Sequence, residues 1–304
     1  MKGIYANRSA LYKIGVLIAL VLIGYFFGSV IVALMMIPAG LKTGNFDLMQ
    51  FPVAVLQVSQ LITSVLVFLF PALFAAYLMS DRPKSFLRIG TCPDFRLLAI
   101  VLLMTLLLTP TVSLTGYFNA QLKLPQFMAG IEAWMKSAED TANMLIEKMV
   151  ADQGVWAFVF NLFVIAVVAG VTEEMMFRGA LLRIVQQKIK NHHIAIWLVA
   201  AIFSFIHFQF YGFLPRMLLG AFLGYLVYWT NNIWIPVLAH FFHNATAFIG
   251  MSNASLKDNA LFADEIAPED IKWLTVTALI CLILFFYGVV IVRKRVGRPE
   301  SAVS

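Results

Sequence analysis

The feature that most constrains this chain is a series of long apolar runs with almost no charge in them. A run of about 18 or more such residues can cross the bilayer core as a helix. Backbone amides in lipid must be paired within their own segment, so the runs have to be helical. Roughly eight can be counted. They cover 14–36, 53–78 with Pro71 inside, 97–117 with Pro110 inside, and a fourth from 155 past Arg178 to a polar tail near Lys190; then come 194–210, 214–229, 233–249 and 273–292. Only 12% of the residues are charged and 61% are hydrophobic, whereas soluble domains are about a quarter charged. The expected fold is all-α, a polytopic membrane protein forming a single membrane domain over 1–304.

Charge predicts its orientation, because Lys and Arg stay on the cytoplasmic side. Basic residues gather in both tails and in alternate connections: Lys2, Arg8 and Lys13; Arg82, Lys84, Arg88 and Arg96; Arg183, Lys188 and Lys190; Arg293, Lys294, Arg295 and Arg298. Acidic residues fill two other connections, Glu132, Glu139, Asp140, Glu147 and Asp152 in one, and Asp258, Asp264, Glu265, Glu269 and Asp270 in the other. With eight spans the two sets fall on opposite sides and both termini are cytoplasmic. The net charge of +6 is then a topology signal, and no nucleic acid partner is expected. The first apolar run is too long for a signal peptide and no small-residue cleavage site follows it, so it counts as a span. Cys92 and Cys281 lie far apart and suggest neither a disulfide framework nor a cysteine metal site. The connection 119–154 has apolar residues at helical spacing, Ile131, Trp134 and Met135, then Met144, Leu145 and Met149. It reads as a helix on the outer membrane surface or as a solvated loop.

Ionisable residues inside spans are costly and mark function by default. Here they cluster in the second half of the chain. Glu174 and Arg178 are four apart and share a helical face, so they can pair. Glu173 points about 100° away, outside that bridge. A carboxylate in a desolvated setting outside an ion pair suits a general base near neutral pH. An ion-paired helix end at headgroup level would account for Glu174 and Arg178 equally well. His207 stands near the end of the fifth run, where a structural histidine is common. On the seventh run His240 and Asn244 share a face, with His243 beside them. A Glu and two His could ligate Zn²⁺ and leave a position for water, the set being Glu173, His207 and His240. Alternatively, Glu173 with His207 could activate water directly while His240 and Asn244 donate hydrogen bonds to an oxyanion. Both arrangements hydrolyse an amide.

These residues resemble the motifs of the CPBP (CAAX prenyl endoprotease and bacteriocin-processing, or Abi) family of intramembrane proteases. Glu173, Glu174 and Arg178, followed by Gly179, match its Glu-Glu-x-x-x-Arg; Phe203 and His207 match Phe-x-x-x-His; His240 and Asn244 match His-x-x-x-Asn. The stretch Trp229-Thr230-Asn231-Asn232-Ile233-Trp234 looks like the family's short turn before the third motif. The resemblance covers 155–249. It implies that Glu173 activates water beside His207, that His240 and Asn244 stabilise the oxyanion or hold metal, and that Glu174 and Arg178 support the site. His243, His192 and His193 lie outside the motifs. Eukaryotic relatives remove the last three residues of prenylated proteins; bacterial relatives include bacteriocin-immunity and processing proteins, and some act as scaffolds. The resemblance thus implies membrane lipid and a membrane-associated peptide substrate as partners; the short connections and absence of extra domains look bacterial, which gives a bacterial inner membrane as the expected location. A catalytically silent scaffold or immunity protein is the alternative. A proton-relaying transporter is a third class, but the internal repeat expected of one is not evident.

Overall fold

The computed structural model describes residues 2–37, 51–151, 154–253, 255–256, 259–262 and 266–297. All regular structure among them is helical. The acidic positions Asp152, Asp258, Asp264 and Glu265 and the basic Arg298 of the charge pattern lie outside the described residues. The chain packs as two compact units, Met1–Gly90 with Leu145–Ala195, and Thr91–Met144 with Ile196–Ser304.

The first unit holds α1 (Ala10–Met36), α2 (Val53–Met79), the four-residue turn α3 (Pro83–Phe86), the end of α5 (Ala129–Ala151) and α6 (Val155–Lys188). Ser9 caps α1 by accepting a hydrogen bond from the Tyr12 amide at 3.3 Å. A Cβ on Gly24 of α1 would run into the carbonyl oxygen of Leu66 on α2, so only glycine permits this approach. In α2 the turn Val65–Leu69 widens to π geometry, with the Phe70 amide donating to the Val65 carbonyl five residues back. Pro71 follows at once. It supplies no N–H and crowds the preceding turn, and the strain expected there as a kink is taken up by the wider turn. Asn161 of α6 is fully buried. It accepts from Gln57 Nε2 of α2 at 2.7 Å and donates to the Met149 carbonyl of α5 at 2.6 Å. Such a satisfied polar network pins three segments in one register.

The second unit holds α4 (Phe95–Ala120), most of α5, the greater part of α7 (His192–Phe205), α8 (Phe213–Thr230), α9 (Trp234–Ser252) and α10 (Ile271–Val296). Its core joins Val101, Met104 and Leu108 of α4 to Leu219, Leu223 and Leu226 of α8, Ile235 and Ala239 of α9, and Phe285 and Val292 of α10. Asn231 ends α8 in the left-handed conformation, φ 47°, a C-cap for which Asn is second only to Gly. Asn232 then accepts from the Trp234 amide at 3.0 Å and donates to the Thr91 carbonyl at 2.8 Å. The segment 229–234 is therefore the tight turn expected.

Five helices are long and apolar enough to cross a membrane among the described residues: Ala10–Met36, Val53–Met79, Phe95–Ala120, Val155–Lys188 and the last, Pro268–Val296 with its entry turn. The protein is an integral membrane protein. The other three runs of the expected eight became α7, α8 and α9, of 14, 18 and 19 residues. At 1.5 Å per residue α7 reaches only about 21 Å, short of a core of about 30 Å. Polar residues, Arg216 in α8 and His240, His243 and Asn244 in α9, dilute the other two. The connection 119–154 holds a helix of 23 residues, α5, and not a loop.

Candidate functional site

In the first unit, Glu173, Glu174 and Arg178 sit on α6 where the second of its two wide π turns, Met175–Leu181, begins; the first is Phe163–Val168. Such turns occur mostly as isolated insertions in helices and often at functional sites. Glu174 Oε1 and Arg178 Nη1 are 2.8 Å apart and both side chains are almost wholly buried. The pairing expected from the spacing is therefore present. Glu173 is half-buried, and the Arg178 charge acts on Glu173 as well as on Glu174. The wide turn packs against its counterpart in α2, where Phe68 and Phe177 lie with ring centroids 5.9 Å apart. Gly179 faces Leu87; a Cβ there would stand 3.0 Å from Leu87 Cδ2.

Arg88 was legible only as a topology charge, yet it belongs to this site. Its backbone is left-handed, φ 56°, and its side chain is buried. Nη1 donates to the Arg178 carbonyl at 2.8 Å and Nη2 to Gln186 Oε1 at 2.8 Å. Burial, with Arg183 adding repulsion, pulls the guanidinium down to about 10, so it is charged at neutral pH and both bonds are charge-assisted.

In the second unit, His207 was expected on the fifth helix but stands beyond it. The helix α7 ends at Phe205, and Phe208 takes a left-handed φ of 54°. A bulky residue in that region is a genuine outlier. Ring contacts of Phe208 with Trp134 of α5, Phe205 and Phe210 hold it there. The motif histidine is thus carried by a tight turn, and neither Gly nor Pro announces it. Its Nδ1 lies 2.7 Å from the Phe203 carbonyl. A carbonyl can only accept, so Nδ1 carries the proton, and in the neutral ring Nε2 is the unprotonated nitrogen. Phe203, buried in the core, lies edge-on to both imidazoles, 5.0 Å from His207 and 6.0 Å from His240. The apolar residue of the second motif therefore seats the histidines of the second and third. His240 is buried and Asn244 is half-buried one turn further along α9. His243 faces elsewhere, into a cavity of about 160 Å³ with Thr109, Ser113 and Thr246 on its wall. Among the described residues no three His, Cys, Asp or Glu side chains form a group that could hold a metal.

Comparison with known proteins bears on the segment that carries all three motifs. Residues 155–246 match the family model described as Rce1-like, type II CAAX prenyl endopeptidase. By this match the segment is similar to the Rce1-like domains of the CPBP family. It makes up under a third of the chain and draws on both units, with the Glu-Glu-x-x-x-Arg motif in the first and the two histidine motifs in the second. A Bacillus subtilis (strain 168) protein bearing the words "Uncharacterized protein YpbD" is 32% identical over 77 residues, 24% of this chain and 36% of that protein. The chain thus matches about a third of the length of that relative. No solved structure matches.

Proposed function

We propose that this protein is an intramembrane endopeptidase of CAAX type, hydrolysing a peptide bond in a membrane-associated, lipidated or bacteriocin-like substrate. The observation that carries the reading is the 2.7 Å contact between His207 Nδ1 and the Phe203 carbonyl, which assigns the ring proton to Nδ1 and makes Nε2 the basic nitrogen. Glu173 and His207 take a proton from water, whose oxygen attacks the scissile carbonyl carbon. The C–O bond forms as the carbonyl π electrons move to oxygen. His240 and Asn244 donate hydrogen bonds to that oxyanion. Collapse breaks the C–N bond and the proton passes to the leaving amine. Glu174 and Arg178 support the helix turn on which Glu173 stands. Zn²⁺ on Glu173, His207 and His240 would supply a Lewis acid to the carbonyl, but these three side chains form no such group among the described residues, so water activation by Glu173 and His207 is the reading taken. In the same reading the chain is one membrane domain of eight spans, the bilayer thinning to meet the short α7, with both termini cytoplasmic, in a bacterial inner membrane.

The test is cleavage of a library of membrane-tethered peptides by purified protein in nanodiscs, with Glu173→Ala alongside. Cleavage that vanishes in the folded variant supports the peptidase, and a repeat after chelation decides between metal and direct water activation. If the wild type cleaves nothing and Glu173→Ala keeps the cellular role, the scaffold reading replaces it.

A further inference from the structure

A π turn is held open by what it does with a displaced carbonyl. In an α-helix the Leu182 amide would donate to the carbonyl of Arg178, four residues back. Here it donates to Phe177, five residues back. The Arg178 carbonyl is thereby released from that amide, and Arg88 Nη1 meets it at 2.8 Å. The same guanidinium reaches forward over one further helical stretch to Gln186. A planar fork with fixed donor directions can bracket a helix in this way, whereas a point charge on a flexible stem cannot. Leu87, beside it, closes on Gly179, where a Cβ would stand 3.0 Å from Leu87 Cδ2.

We infer that Arg88 is a positioning residue: it locks the wide turn Met175–Leu181 by capturing the Arg178 carbonyl, and so fixes where Glu173 and Glu174 stand. This rests on the peptidase reading for its catalytic consequence but not for its structural one. The chain of contacts is continuous. Arg88 holds the backbone of Arg178, the Arg178 side chain holds Glu174 at 2.8 Å, and Glu173 is the next residue. Without the guanidinium, Leu182 would regain the Arg178 carbonyl as the turn relaxed to α geometry. Removing one residue of excess winding rotates everything before it by about 100° relative to everything after it.

The test uses full-length protein in nanodiscs with Arg88→Met, which keeps the apolar stem, and Arg88→Lys, which can reach one acceptor but not both. Two quantities are read: kcat and KM on whichever tethered peptide the wild type cleaves, and amide hydrogen exchange of segment 175–183. We expect Arg88→Met to lower kcat by about 10²-fold, the cost typical of misplacing a catalytic group by an ångström, with KM little changed and exchange raised within 175–183. Arg88→Lys should recover part of both. Unchanged kcat and exchange in Arg88→Met would overturn the inference. Exchange raised throughout α2 and α6, with no recovery by Arg88→Lys, would overturn it too, because Arg88 would then serve general stability. If the wild type cleaves nothing while exchange still rises locally in Arg88→Met, the lock stands and the peptidase reading fails.

Discussion

The ion pair of Glu174 and Arg178 provides the sharpest energetic test. At 2.8 Å and an effective dielectric of about 20, the gross attraction is ~6 kcal/mol. Burial removes several kcal/mol of hydration from each ion, so the intact pair contributes little net stability. Removing one partner is different, because the surviving charge stays buried and loses its counter-ion, at a cost of about 3–5 kcal/mol. At roughly 2–4 °C per kcal/mol for a chain of this size or somewhat smaller, Arg178→Met and Glu174→Gln should each lower Tm by about 10 °C. The double substitution Glu174→Leu with Arg178→Met leaves neither charge behind, and it should recover at least half of that loss. The Arg88 bond does not confuse the comparison, since it goes to the backbone carbonyl of residue 178 and survives any change of that side chain. The assay is thermal unfolding of the four proteins in detergent, followed by tryptophan fluorescence. Single variants within about 2 °C of the wild type, or a double variant that loses the sum of the two, would refute a dry, mutually dependent pair at this place.

Gly24→Ala should destabilise by about 1–3 kcal/mol, because its methyl would meet the Leu66 carbonyl where α1 crosses α2; thermal unfolding indistinguishable from wild type would mean that the helices can part without cost. Glu139 on α5 accepts from the Tyr211 amide at 3.2 Å, and burial raises its pKa above the usual carboxylate value, against that hydrogen bond and the charge of Arg216. A carboxyl raised in the folded state binds more protons there than when unfolded, so stability falls as pH rises through the window just above the ordinary Glu value. Glu139→Gln keeps an acceptor and loses the charge. Its Tm should exceed wild type at pH 7, by no more than about 2 °C for a half-buried group still screened by solvent, and match it at pH 4; a lower Tm at pH 7 would show the ionised form to be the stabilising one.

How much of this was legible in the sequence divides along a physical line. Hydropathy shows where the chain is buried in lipid, so the helical class and the longest helices could be read directly. The spacing of Glu174 and Arg178 gives their pairing because four residues close one helical turn, and the Asn-Asn pair marks the turn before α9. Periodicity on this side of the protein assumes α geometry, however, and the places that matter most depart from it. Wide turns in α2 and α6 change the register by one residue, and nothing local in Met175–Leu181 announces this. Pro71 is the one local signal, and it accounts only for α2.

The helix that ends before His207 poses the same problem in another form. A run from Ile194 to Phe210 has no breaker in it, and propensity alone would carry the helix through. What stops it is the left-handed Phe208, held by rings from Phe205, Phe210 and, from a segment over seventy residues earlier, Trp134. Arg88 acts over a similar distance in sequence, reaching from a loop read only for its charge to the carbonyl of Arg178. The segments bearing the first two motifs are therefore each shaped by one distant side chain that overrides local geometry, Arg88 in one unit and Trp134 in the other. Backbone conformations that local sequence would not choose persist only where the surroundings over-determine them, and they gather where function needs a fixed placement. That is the physical reason why the motif residues stand out in the sequence while the residues that shape the segments carrying them do not.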